Sequence, residues 1–200
     1  MADRRVLFFG DSHVVGVGDP EGQGWVGRVV FESFRLGLPL TAYNLGVRGQ
    51  TSEQVAARWR TEASPRLPPA VDGRVVLSFG VNDTTVEDGA IRVSQKRSCA
   101  ALAAILEQAA DAGLPALVVG PAPVDDSAQN ERIQLLSLAF EGVCDRFAAP
   151  FLDVVEPLLA CPVWMGEVAA GDGAHPGAEG YEALAGVVLD WGWASWLQVV

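Results

Sequence analysis

Cysteine is scarce: Cys99, Cys144 and Cys161 are an odd number at wide spacing in 200 residues. They suggest neither a disulfide framework nor a zinc pattern, and read as reduced thiols. Histidine is rarer still, with only His13 and His175 present. A His-rich metal site is excluded, and no metal or other cofactor is implied. Basic residues are outnumbered, 14 Lys and Arg against 25 Asp and Glu, for a net charge of −11. No basic stripe appears, which argues against a nucleic-acid partner. An acidic surface of this kind keeps a protein soluble and modestly repels anionic substrates and membranes.

Long hydrophobic runs are also missing. Val6–Phe9 is too short for a signal-peptide core, and nothing is long enough to span a bilayer. A cytoplasmic protein without stable membrane association is expected; the oligomeric state is left open. Two common motifs fail as well. The glycines between Gly16 and Gly22 are not followed by Gly-Lys-Ser/Thr and do not keep the spacing of a phosphate loop. Val14 stands where the last glycine of a Gly-x-Ser-x-Gly elbow would be.

What is present is globular. Half the residues are hydrophobic and a fifth charged, enough for a sizeable core in a single domain over 1–200. Short apolar runs alternate with helical patterns. Val6–Phe9, Leu40–Leu45, Arg74–Phe79, Ala116–Val119 and Pro150–Val154 read as strands. Between them, helices are expected from Trp25 to about Leu36, from a Thr51/Gln54 capping box through Arg60, and from about Ser94 to Ala112. A fourth is capped by Ser127 and runs to about Phe147, and a last one follows Pro176 with Tyr181, Leu184, Val187 and Val188 inward. The stretch before Asp172 reads as irregular. This alternation predicts an α/β fold: a three-layer α/β/α sandwich on a five-stranded parallel, flavodoxin-like sheet of order 2-1-3-4-5.

In such a sheet ligands bind outside the carboxyl ends of the strands. Gly10-Asp11-Ser12 follows the first strand and would deliver a hydroxyl there, Asp11 holding the turn. Gly46 ends the second strand, where a backbone N–H can approach a ligand closely. Gly80-Val81-Asn82-Asp83 follows the third, and the Asn82 amide is a donor that stays neutral at any working pH. Near the end comes Asp172-Gly173-Ala174-His175-Pro176, in which an Asp three residues before a His can return its carboxylate to the imidazole. Asp125-Asp126 could bind a cation, or lead the next helix as a solvated acidic pair.

These four stretches resemble, in order, the conserved blocks of the SGNH hydrolases, a subgroup of the GDSL esterases and lipases. The resemblance implies that Ser12 is the nucleophile, His175 the general base and Asp172 the residue that orients it. It implies an oxyanion hole of the Ser12 and Gly46 backbone N–H groups and the Asn82 side chain, with Asp11 and Asp83 in support. The chemistry implied is acyl transfer through an acyl-Ser12 intermediate to water, on small acyl or acetyl esters. An alcohol acceptor would make the chain an acyltransferase; thioester or lysophospholipid substrates, or a binding module without turnover, are the other readings.

One departure stands out: the family's aliphatic residue after the serine is here His13. It reads as a solvated rim residue, a hydrogen-bonding part of the acyl pocket, or a second base. Trp164 and Met165 read either as pocket walls or as packing against the last helix. Trp191, Trp193 and Trp196 read as core packing or a dimer contact.

Overall fold

The computed structural model describes residues 3–198, so the first and last two residues of the expected domain lie outside the description. Strand β1 (Arg4–Gly10) runs into a one-turn helix, α1 (Ser12–Val15), and then α2 (Gly24–Arg35). Next come β2 (Thr41–Gly46), α3 (Ser52–Ala63) and β3 (Asp72–Ser78). After a 3-10 turn at Asn82–Thr84 comes a small hairpin of β4 (Val86–Glu87) and β5 (Ala90–Ile91). The remainder is α4 (Gln95–Asp111), β6 (Ala116–Val119), α5 (Ser127–Arg146), β7 (Phe151–Leu152), α6 (Val155–Leu159), α7 (Pro162–Ala170) and α8 (Ala178–Gln198).

The main sheet has the order β2-β1-β3-β6-β7 with every pairing parallel. This is the predicted doubly wound arrangement. Strand β1 shows why it is stable: side chains alternate across a strand, and here both faces are covered. Val6 and Phe8 pack into a core with Trp25 and Val29 of α2, Trp164 of α7 and Tyr181 and Val188 of α8. Leu7 and Phe9 face the opposite core, built from Val55 and Trp59 of α3, Leu102 and Ile105 of α4 and Phe140 of α5. All four β1 side chains are fully buried.

The register lines up the strand ends that matter. Gly10 lies opposite both Gly46 and Ser78, so β1, β2 and β3 stop at one level. A side chain at Gly10 would run into the Ser78 carbonyl and Val14, so the close approach requires glycine.

Two local expectations are corrected and a third is resolved. The cap of α5 is Asp126, whose side chain accepts from the Gln129 N–H at 2.8 Å, while Ser127 is the first helical residue. The stretch before Asp172 is the helix α7, opened by Pro162, whose missing N–H costs nothing at a helix start. The tryptophans divide: Trp193 and Trp196 are core, while Trp191 is 37% exposed. No described helix is long and apolar enough to cross a membrane.

Candidate active site

The site forms where β1 ends. Asp11 is almost fully buried, and its Oδ1 accepts the His13 N–H at 3.0 Å, which caps the single turn of α1. The turn closes at Gly16, in a left-handed conformation (φ 86°). Ser12 is therefore fixed at the first position of a tight turn, its own N–H without an intrahelical acceptor. Across the sheet end, Asp11 Oδ2 accepts from Asn82 Nδ2 at 3.2 Å, and the Gln50 carbonyl accepts from the same nitrogen at 3.0 Å. Asn82 is thereby aimed from both sides.

His175 arrives from the loop between α7 and α8, 163 residues away in sequence. Its Nε2 lies 2.7 Å from Ser12 Oγ, and its Nδ1 lies 2.8 Å from Asp172 Oδ2. The other Asp172 oxygen accepts the backbone N–H groups of Ala174 (3.0 Å) and His175 (2.9 Å). The Asp-x-x-His spacing thus folds into one turn held by its own carboxylate. Gly18 lets the preceding loop pass against the Pro176 carbonyl and His175 Cβ with no room for a side chain.

The electrostatics suit a base. Burial pushes the Asp172 carboxyl up, but hydrogen bonds from the His175 ring and from two backbone N–H groups outweigh this and bring it down to about 2. Asp172 is an anion at any working pH. His175 is held below its ordinary value, first by burial and then by the neighbouring His13, with Asp172 pulling the other way and Arg48 adding to the depression. A neutral imidazole facing a hydroxyl can take its proton, and the carboxylate behind it stabilises the resulting cation.

Asp83 is fully buried beneath this layer. Its Oδ1 accepts the Ser52 N–H at 2.8 Å at the start of α3, and its backbone oxygen accepts from Val93 at 3.1 Å. It ties the Asn82 turn to α3 and to the segment after the hairpin.

Gly46 is not where its expected role needs it. Its N–H is already given to Asn44 Oδ1 at 3.1 Å, while Asn44 Nδ2 donates to the Val14 carbonyl at 2.6 Å. A Cβ on Gly46 would lie 2.5 Å from the Val15 nitrogen, so this glycine serves the close packing of α1 on β2. Gly49, which the sequence reading passed over, has a left-handed φ of 77° and open space around its α-carbon. Its N–H has no acceptor among the described residues, and its carbonyl is fixed by Arg92 Nη2 at 3.0 Å. The signal was its place just before Gln50, whose carbonyl holds Asn82.

His13 is 4% exposed and is not a solvated rim residue. Trp164 is fully buried, its indole N–H on the Pro123 carbonyl and its ring edge-on to Tyr181, so it is core behind His13 and does not line an open pocket. Met165 is half-buried against the same core. The glycine-rich loop after α1 is closed by Asp19, whose carboxylate accepts the N–H groups of Glu21, Gln23 and Gly24 and pairs with Arg28. The donors an anion would need are taken. Among the described residues no group of three or more His, Cys, Asp or Glu could hold a metal ion.

Similar proteins agree with this architecture. A lipase/acylhydrolase from Enterococcus faecalis superposes with a TM-score of 0.74 at 22% identity, over 94% of each chain. An acetylxylan esterase from Geobacillus stearothermophilus gives 0.76 at 17% identity, over 100% of this chain and 96% of the other. An α/β hydrolase from the metagenome of Lake Arreo, Spain, gives 0.76 at 20% identity, over 95% of each. No curated protein matches the chain significantly in sequence. The family model of the GDSL-like lipases and acylhydrolases matches residues 8–183, which takes in the Ser12 turn, the Asn82 turn and the 172–175 loop alike. The chain belongs to the GDSL-like lipase/acylhydrolase family and is a carboxylic ester hydrolase of that kind.

Proposed function

We propose that the chain is a serine esterase of small acyl esters, acetyl esters favoured, working through an acyl-Ser12 intermediate. The observation that carries this reading is the continuous relay from Ser12 Oγ to His175 Nε2 and from His175 Nδ1 to Asp172. In the first step His175 Nε2 takes the Ser12 hydroxyl proton as Oγ bonds to the ester carbonyl carbon. The carbonyl oxygen becomes an oxyanion. Its donors are the backbone N–H groups of Ser12 and Gly49 and the Asn82 amide, which exchanges a hydrogen bond to Gln50 or Asp11 for one to the oxyanion. Collapse breaks the bond to the alcohol oxygen, which leaves with the proton from His175. Water then repeats the sequence on the acyl-enzyme, releasing the carboxylic acid and restoring Ser12.

The preference for acetyl and other short acyl groups is supported by the acetylxylan esterase among the structural neighbours, and by the burial of Trp164 in the core, where it does not wall an open acyl pocket. The deciding experiment is hydrolysis of p-nitrophenyl esters from acetate to laurate, with wild type and Ser12→Ala in parallel and fluorophosphonate labelling of both. Short-chain activity and labelling that vanish together with Ser12 are the expected result. Activity that survives in Ser12→Ala would end this reading.

A further inference from the structure

His13 departs from the aliphatic residue that the family resemblance leads one to expect, and the fold gives it an unusual seat. The ring is buried between two others: it stacks on Trp164 (centroids 5.9 Å apart, 22° between planes) and lies 5.2 Å from the His175 ring. Trp164 is itself anchored by its N–H on the Pro123 carbonyl at 3.0 Å, so the stack has a fixed floor. His13 Nε2 is 2.9 Å from the Ala174 carbonyl. A carbonyl only accepts, so Nε2 carries the hydrogen. Nδ1 has no hydrogen-bond partner among the described residues and faces Asp11 Oδ1 at 3.6 Å.

A buried, unsatisfied nitrogen is costly, and an aliphatic side chain would fill the same space without it. What the imidazole adds is one hydrogen bond, to the carbonyl that immediately precedes the base. We propose that His13 is a positioning residue for His175: it pins the 172–175 loop through Ala174 and joins that loop to Asp11, which in turn holds Asn82. The effect on rate rests on the esterase reading; the geometry does not.

Charge sharpens the argument. The groups facing His175 are Asp172, His13 and Arg48, and Glu167 borders the same groove with its carboxylate on the Gly180 N–H. Those facing His13 are Asp11 and His175. The neighbouring His13 opposes a proton on His175. Removing His13 therefore leaves His175 the stronger base while loosening its loop.

The test uses His13→Phe, which keeps the stack but loses donor and charge, and His13→Gln, which restores an N–H donor. With only two histidines in the chain, ring nitrogen NMR follows each imidazole in the intact protein. The expected wild-type spectrum has the neutral His13 ring protonated on Nε2. In His13→Phe, His175 should titrate at higher pH and kcat should fall about ten- to a hundredfold with KM nearly unchanged. His13→Gln should recover most of kcat without reversing the titration shift. A neutral His13 protonated on Nδ1, or a His13→Phe enzyme with unaltered kcat and His175 titration, would overturn the proposal. If His13→Phe does not fold, the wild-type tautomer and the His13→Gln kinetics decide. Should no ester be hydrolysed, the esterase reading falls, and the tautomer and His175 titration still judge His13.

Discussion

Asp11 has both carboxylate oxygens engaged, one on the His13 N–H that shapes the serine turn and one on the Asn82 amide. In the proposed mechanism, nucleophile and oxyanion donor are thus set by one buried side chain. Under the proposed mechanism His175 sets the pH range of the site, because its ring must be neutral to accept the Ser12 proton, and burial holds it below its ordinary 6.5. The acidic limb of kcat/KM against pH should therefore have its midpoint below 6.5, with full activity retained above it; a midpoint above 6.5 would contradict this. The contact of Asp172 with His175 was legible in their three-residue spacing, and the place of Ser12 beside them in the strand end that precedes it. His13 and Gly49 were not. The burial of His13 depends on α7 and on a loop 161 residues away, and Gly46 competed with Gly49 as a glycine near a strand end.

Elements were legible where apolar periodicity was long and obscure where a single turn or cap decided. The Thr51/Gln54 capping box holds, with Gln54 accepting the Thr51 N–H at 2.9 Å. At α5 the acceptor is Asp126 and not its neighbour Ser127, two residues equally suited to the role by type. Asp126→Ala should lower stability by about 1 kcal/mol while leaving esterase rates alone, and Ser127→Ala should change neither; urea titration of both variants checks the assignment. The one-turn α1 and the four-residue β4–β5 pairing are too short to leave a periodic trace. Helix α7 was missed for another reason: its apolar residues do not gather on one face, since Trp164 and Val168 are buried while Val163 is 40% exposed.

At the scale of the whole molecule, the order of the main sheet followed from alternating strand and helix patterns, because right-handed crossovers leave few alternatives. Carboxylates act on stability in two directions. Asp72, raised by burial but lowered more by Arg4 and Arg74, and Asp19, likewise lowered by Arg28 and backbone N–H groups, end below their ordinary 3.8. They stabilise the fold above that pH, and the contribution is lost as pH falls through their folded values. Asp83 has the opposite sign, since burial raises it despite the hydrogen bond from the Ser52 N–H. Its penalty is absent below 3.8 and grows as pH rises. Asp83→Asn, which keeps an oxygen for the Ser52 N–H, should raise the urea midpoint at pH 7 and lose that advantage near pH 3. An equal effect at both would refute the assignment.

Arg4 is bonded to Asp72 at the start of β3, and Arg74, two residues further along, donates to the Trp196 carbonyl near the end of α8. Both described ends of the chain are therefore gathered at one rim of the sheet, with Ser12 at the other. A tether fixed to either end, on a bead or a fusion partner, would leave the mouth facing outward. The same adjacency suits circular permutation: a short linker could close the ends, and the chain could be reopened in the 64–69 connection on that rim. The pairing of Ser12 with His175 would then depend on no segment that had been cut.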